Sequence, residues 1–296
     1  MKVAVVVLNW NGKKYIGKCL KSLQQLEAER IVVDNASTDG SVPYLKKNFP
    51  QVKLIINSQN LGYAEGNNVG IRHALDYSAD YIWIVNPDIT VGPQALQILL
   101  NFASTHPQAG ILGSKVYFVP GFEFHKNRYT KAQIGKVIWY AGGQIDWNNV
   151  ITNHLGMNEV DTGQFDTAKI TDFVTGASML LNSQMLRQVG ILDPKYYLYY
   201  EETDLSLRSR RAGWELWYVP TSTVWHANAQ ATGVGSQLVD YYTTRNRILF
   251  GMRWAPLRSK IALVRESMRL LASGRPWQKR GVIDFYLGRW GRGTYA

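Results

Sequence analysis

Through the first third of the chain, each short apolar run gives way to a cluster of Asn, Asp, Ser or Gly. Val3–Leu8, Arg30–Val33, Val52–Ile56 and Tyr81–Val85 have the length and β-branched content of strands. They lead into Asn9–Gly12, Asp34–Ser37, Asn57–Asn60 and Asn86–Asp88. Helical patterns separate them at Lys13–Leu26, Ser41–Lys47 and Asn67–Tyr77. Strand–helix alternation of this kind folds into an α/β domain with a mostly parallel central sheet flanked by helices. Such sheets gather ligand groups at the carboxyl ends of their strands, which is where the polar clusters fall.

Beyond this third the pattern loosens. Lys115 to Asp172 scatters Tyr, Trp, Gly and Asn among short apolar pieces, as expected of strands plus a mobile loop. Order returns at Phe173–Leu181, followed by a helix over Glu201–Ala212 and strands at Glu215–Val219 and Thr223–Trp225. A further helix spans Val239–Met252. The division implied is a main domain over 1–250 and a basic amphipathic helical extension over 251–296.

Charge separates the same two parts. From Arg245 onward 12 Lys/Arg stand against Glu266 and Asp284, whereas the preceding residues are close to neutral. Leu257, Ile261, Val264, Met268 and Leu271 form a helical stripe, with Arg258, Lys260, Arg265 and Arg269 off it. A stripe of this kind packs against a domain or lies on an anionic membrane surface, where Trp254, Trp277 and Trp290 would help. Nucleic acid is not an expected partner, because no recognition fold accompanies the charge.

No run of about 18 apolar residues supplies a spanning helix. Val3–Leu8 is too short for a signal-peptide core and no small-residue cleavage site follows it. The lone Cys19 excludes an intrachain disulfide or a cysteine metal cluster. A cytoplasmic location fits, peripheral on the inner membrane face if the tail binds lipid.

Four motifs carry candidate chemistry. Asp34 ends a strand and Asp39 follows in the turn, as in ordinary capping chemistry or in a loop that accepts a base N–H, shaped by Asn35 and Ser37. Asn60 to Ile71 introduces a helix whose N-terminus offers N–H groups. Its glycines, Gly62, Gly66 and Gly70, lack dinucleotide spacing, which disfavours a nicotinamide dehydrogenase. Trp83 to Ile89 is a buried strand stopping at Asp88. That carboxylate is either part of a plain Asn-Pro-Asp turn or an oxygen ligand for a hard cation. Glu201, Glu202 and Asp204 crowd a helix start, where they complement the dipole or supply a general base. His226 ends a later strand and becomes a plausible ligand if it meets Asp88.

In this order and at these separations, the motifs resemble family 2 glycosyltransferases of the GT-A fold. The similarity covers roughly residues 2–250. It is nearest to a rhamnosyltransferase-like group with an Asn-Pro-Asp metal motif, through Val7–Gly12, Asp34–Ser41, Asn60–Ile71, Asn86–Ile89, Thr175–Ser178 and Glu201–Arg208. The resemblance implies nucleotide binding by Leu8, Asn9, Asn11, Asp34, Ser37, Asn60, Gly66, Asn67, Asn86, Pro87 and Arg245. It implies acceptor contacts at Gly176, Ala177 and Asn246, and Mn2+ or Mg2+ on Asp88 and His226. Glu202, with Glu201 beside it, takes the place of the base.

Two departures stand out. Relatives usually carry Asp where this chain has Glu202, and many carry Gly where it has Glu65, a charge that would repel a diphosphate unless paired. The implied reaction is inverting transfer of a sugar from a UDP- or dTDP-sugar, dTDP-rhamnose among them. The acceptor would be a hydroxyl on a glycan or lipid-linked molecule, in surface polysaccharide or glycolipid assembly. The rivals are a catalytically silent sugar-nucleotide or glycan-binding protein and a nucleotidyltransferase. The latter would want an early glycine-rich phosphate loop, for which Asn9–Gly12 substitutes poorly.

Overall fold

The computed structural model describes residues 1–228 and 236–295. The chain runs β1 (Val3–Asn9), α1 (Lys13–Leu23), β2 (Glu29–Asp34), α2 (Ser41–Asn48), β3 (Lys53–Ile56), α3 (Gly62–Asp76) and β4 (Tyr81–Val85). It continues through β5 (Ile89–Val91), α4 (Ala95–Thr105), β6 (Ala109–Phe118), β7 (Ile138–Tyr140), β8 (Gly143–Asp146), β9 (Ile151–His154) and β10 (Lys169–Ile170). Then follow β11 (Ser178–Asn182), α5 (Ser183–Val189), α6 (Glu201–Arg211), β12 (Glu215–His226), α7 (Gln237–Trp254), α8 (Leu257–Ser273) and α9 (Pro276–Tyr286).

The main sheet has the order β10-β12-β6-β11-β4-β1-β2-β3. The β4-β1-β2-β3 half is parallel, β11 is antiparallel to both neighbours, and β12 runs parallel to β6. Both faces are covered, so the strands read as continuous apolar runs. Alternation in β1 decides which core each residue joins. Val3, Val5 and Val7 face α1, α2 and α4 with Ile16, Leu20, Leu45 and Leu99, while Ala4, Val6 and Leu8 face α3, α5 and α6 with Ile71, Met185 and Leu205. Helix α3 comes down onto β1 through Gly66 and Gly70, where an added Cβ would stand 2.6 Å from Leu8 Cδ1 and 2.4 Å from Val6 Cγ1.

Several boundaries move for physical reasons. Helix α3 starts at Gly62 rather than Asn67, because the Tyr197 carbonyl, distant in sequence, accepts from the Tyr63 and Ala64 N–H groups. The two late strands expected around Val219 and Trp225 are one strand, β12, with a register irregularity between Val219 and Thr223. The segment after Lys115 folds back under an ion cluster. The buried Lys115 Nζ lies 2.8 Å from Asp161 and 2.5 Å from Asp166. Helix α7 runs through position 250 to Trp254, and α8 and α9 pack back against it.

Candidate active site

The ends of β1 and β2 are tied together by side chains of the first motif. Asn9 Nδ2 donates to Asp34 Oδ2 at 2.8 Å and to Ser37 Oγ at 3.1 Å, and Ser37 N–H donates to Asp34 Oδ1 at 2.9 Å. Asn11, held at a positive φ of 50°, accepts from the Thr38 N–H at 2.8 Å, and its own N–H reaches Ser37 Oγ. Asp34 is therefore buried and organises the loop. An ionised carboxylate offers about four lone-pair sites, so capacity to accept a base N–H remains. Asn35 is the second node: Nδ2 donates to Asn60 Oδ1 and the Gly62 carbonyl, while Oδ1 accepts from Asn57 Nδ2 and the Leu61 N–H.

The start of α3 differs from the expected set of open N–H groups. Asn60 Oδ1 takes the Gly62 N–H at 2.9 Å, and Tyr197 takes the next two. Glu65 is not left facing a diphosphate: Arg72 pairs with Oε1 and Asn68 donates to Oε2. Asn67 is buried, its Nδ2 on the Tyr63 carbonyl.

At the end of β4, Asn86 N–H donates to the Ala177 carbonyl, and the Asn86 carbonyl accepts from Ile89 N–H, closing the turn through Pro87 that presents Asp88. Antiparallel pairing of β5 with β12 sets His226 opposite Ile89 and bonds Ala227 N–H to the Asp88 carbonyl. As a result His226 Nε2 lies 3.1 Å from Asp88 Oδ1, both side chains largely buried. The edge of Trp139 packs on the imidazole, and its Nδ1 is buried without a hydrogen-bond partner among the described residues. One carboxylate and the imidazole Nε2 beside it form a partial donor set for a divalent cation, which would take its other ligands from phosphate oxygens.

The three acids that start α6 have different fates. Asp204 is fully buried and fully engaged, accepting from Arg208 Nε, Trp254 Nε1 and the Tyr196 hydroxyl, with Arg253 at 3.0 Å. Glu201 and Glu202 each keep a buried Oε2 with no partner among the described residues. Burial raises Glu202 to about 7, and burial plus the neighbouring Glu202 charge holds Glu201 well above the usual carboxylate range. Tyr63, whose hydroxyl donates to the Gly176 carbonyl at 2.6 Å, is pushed upward by burial and then by the charges of Glu201, Glu202 and Asp88. One phenol thus senses the carboxylates of both motifs.

Arg245 and Asn246 reach this site only through the loop before α6. Asn246 Nδ2 donates to the carbonyls of Tyr196, Leu198 and Tyr199. The Arg245 guanidinium joins the carbonyls of Lys195 and Tyr196 to that of Gly291 near the C-terminus. Both side chains are wholly buried. The loop they hold contains Tyr197, Tyr199 and Tyr200, all at positive φ, a strained backbone of the kind that persists where surroundings over-determine it.

The sequence carries no motif that marks Tyr63 or this tyrosine run for a role. The aromatic cluster Tyr196–Tyr200 directly before Glu201 was the available signal, whereas left-handed backbone at tyrosine has no local signature. Trp10, 42% exposed between Asn9 and Asn11, was likewise passed over.

A sheet of this order, with strand-end polar loops on its parallel half and a carboxylate–imidazole pair where β5 meets β12, defines an α/β protein of the GT-A type. The family model described as Glycosyl transferase family 2 matches residues 4–181, more than half of the chain, and the protein belongs to that family. It is 28% identical over 241 residues to an N-acetylglucosaminyl-diphospho-decaprenol L-rhamnosyltransferase of Mycobacterium tuberculosis, covering 77% of each chain. It is 22% identical over 210 residues to the low-salt glycan biosynthesis hexosyltransferase Agl10 of Haloferax volcanii, covering 71% of this chain and 62% of that one. Among solved structures, GalNAc-T7 with UDP, GalNAc and Mn2+ matches at a TM-score of 0.68 and 15% identity, over 97% of this chain and 54% of that chain. The mannosyltransferase PcManGT of Pyrobaculum calidifontis, in complex with GDP-Man and Mn2+, matches at 0.54 and 16%, over 97% and 74%. These two likenesses establish the fold.

Proposed function

We propose that the protein is an inverting, metal-dependent hexosyltransferase that moves a sugar from a UDP- or dTDP-sugar, dTDP-rhamnose among them, to a hydroxyl of a lipid-linked acceptor. The observation that carries this reading is the 3.1 Å approach of His226 to Asp88 at the strand ends, together with the buried, unpartnered Oε2 atoms of Glu201 and Glu202 at the start of α6. The first supplies an anion-neutralising site and the second a proton acceptor.

Asn9, Asp34, Ser37 and the Asn35 node form the floor for the nucleoside, with Leu8, Asn11, Asn60, Gly66, Asn67, Asn86 and Pro87 around it. Asp88 and His226 would hold Mn2+ or Mg2+, which would supply positive charge against that building on the departing diphosphate. The backbone at Gly176 and Ala177 walls the acceptor side. Glu202, the more accessible of the pair, takes the proton of the acceptor hydroxyl. That oxygen bonds to the anomeric carbon as the bond from this carbon to the diphosphate oxygen breaks, inverting the centre. A base near 7 is poised for such work, typically about 10²–10⁴ in rate. The M. tuberculosis relative's name specifies a polyprenyl-diphosphate acceptor and a rhamnosyl product, which supports the lipid-linked class and a membrane-face workplace.

The test is a panel of nucleotide sugars assayed for Mn2+-dependent release of nucleoside diphosphate, with and without a synthetic polyprenyl-diphosphate glycan. Transfer with inversion that is lost in Glu202→Gln supports the reading. Donor binding without release for any sugar would replace it with a silent binding protein.

A further inference from the structure

Helix α8 does not use its apolar stripe to pack. Its buried residues are Ser259, Leu263 and Ser267, one turn apart. Leu263 sits so close to Gly251 of α7 that an added Cβ there would stand 2.1 Å from Leu263 Cδ1. At about 100° per residue, Leu257, Ile261, Val264 and Met268 fall roughly a third of a turn away from that face. Leu257 is 74% exposed, Ile261 46% and Met268 56%. Arg258, Arg265 and Arg269, all exposed, follow one edge of this row and Lys260 the other. Among the described residues none of these four lies within ion-pair reach of a carboxylate, whereas Arg247, Arg253, Arg275 and Arg289 are all paired.

Single exposed hydrophobes are ordinary. A continuous row of them flanked by unpaired cations is the make-up of a helix that lies in a lipid interface. We propose that α8 docks the protein on an anionic bilayer, its apolar row entering the acyl boundary and Arg258, Arg265 and Arg269 meeting acidic headgroups. RNA is the poorer occupant, because the row between the cations would gain nothing from a phosphate backbone. The three tryptophans of this segment take no part: Trp254 bonds Asp204, Trp277 packs on Tyr241 and Tyr295, and Trp290 packs on Phe285. No helix among the described residues is long and apolar enough to cross a membrane, so the contact is peripheral. The proposal deepens the lipid-linked acceptor reading, yet vesicle binding is measured without donor or acceptor, so the two can fail separately.

The experiment is co-sedimentation of the full chain with vesicles of phosphatidylcholine alone and of phosphatidylcholine mixed with phosphatidylglycerol. Truncation is unsuitable, since the C-terminal residues also hold the loop before α6. Binding is expected only to the anionic vesicles and to weaken with salt. Joint reversal of Arg258, Arg265 and Arg269 to Glu should weaken it by roughly a hundredfold or more. Ile261→Asp with Met268→Asp should weaken it by at least about tenfold at unchanged Tm. Reversal of Lys46 and Lys47 on α2 should leave it unchanged. Equal loss from the α2 reversal, equal binding to neutral vesicles, no vesicle binding, or retention of a labelled RNA instead would each overturn the proposal.

Discussion

Asp88 and His226, 138 residues apart in sequence, are brought to 3.1 Å by the antiparallel pairing of β5 with the end of β12. Asp88 lies in the turn just before β5 and His226 ends β12, each in a position that either ordinary structure or a ligand could occupy. Their meeting turns two weak motifs into one donor set.

Loss of either side chain should therefore act on cation dependence before anything else. Asp88→Asn keeps the shape and removes the charge, and is expected to lower turnover by about 10²–10³, the usual scale for a lost electrostatic stabiliser. His226→Ala should raise the Mn2+ concentration for half-maximal activity by at least about tenfold, with a smaller effect at saturating metal. Thermal shift with nucleoside diphosphate and Mn2+ together provides an independent reading, and both variants should blunt it. Wild-type metal response in the two variants would remove the cation from this site.

The carboxylate pair predicts opposite pH effects on activity and stability. Glu202 must be ionised to accept a proton, so kcat should rise with pH and level off above about 7. For stability the folded pKa lies above the ordinary 4.5, so between these values the fold holds a proton that the unfolded chain has released. Stability should thus fall as pH rises through that window, and the raised Glu201 carries the fall further as it in turn ionises. Glu202→Gln should then abolish most transfer while raising Tm at pH 8, with little change in Tm near pH 4. A Tm loss at pH 8 would mean the ionised carboxylate is paired rather than buried without compensation.

Much of the Asp34 strand-end loop could be read from sequence because its signals are local. A strand that ends in Asp34, with Ser37 three residues on, carries its own turn chemistry. The long-range ties could not be read. Nothing near Tyr63 announces that Tyr197 caps its helix, and nothing near Asn246 announces three carbonyls on another element. The α8 stripe was visible as periodicity, but periodicity gives an apolar face without saying what meets it. The small Ser259 and Ser267 took the packing role instead.

Asn246 should behave as a positioning residue. Asn246→Ala removes the donor for the Leu198 and Tyr199 carbonyls, while Arg245 still serves Tyr196. Two weakened buried acceptors cost about 2–4 kcal/mol in stability. If the loop sets the Glu202 environment, kcat should fall more than tenfold with donor KM nearly constant, and the kcat pH midpoint should move down as water enters. A variant that loses stability but keeps the wild-type pH profile would confine Asn246 to the fold.

The glycine pair on α3 allows the proposed nucleotide floor to be tested apart from the rest of the core. At Gly66 a new Cβ would meet Leu8 Cδ1 at 2.6 Å and Asn35 Nδ2 at 3.0 Å, the very node that gathers Asn57, Asn60 and Gly62. At Gly70 the three nearest atoms belong to Val6 and Val33, deeper in the same helix–sheet seam. Both Ala substitutions overpack and should cost about 1–3 kcal/mol. Only Gly66→Ala should also weaken nucleoside diphosphate binding, by about tenfold or more, because it displaces a side chain that shapes the loop as well as one that fills the core. Isothermal titration of both variants below their melting ranges makes the comparison. Equal affinity in the two would mean that the Asn35 node belongs to the scaffold and that the base is held elsewhere, with Trp10 the next residue to test.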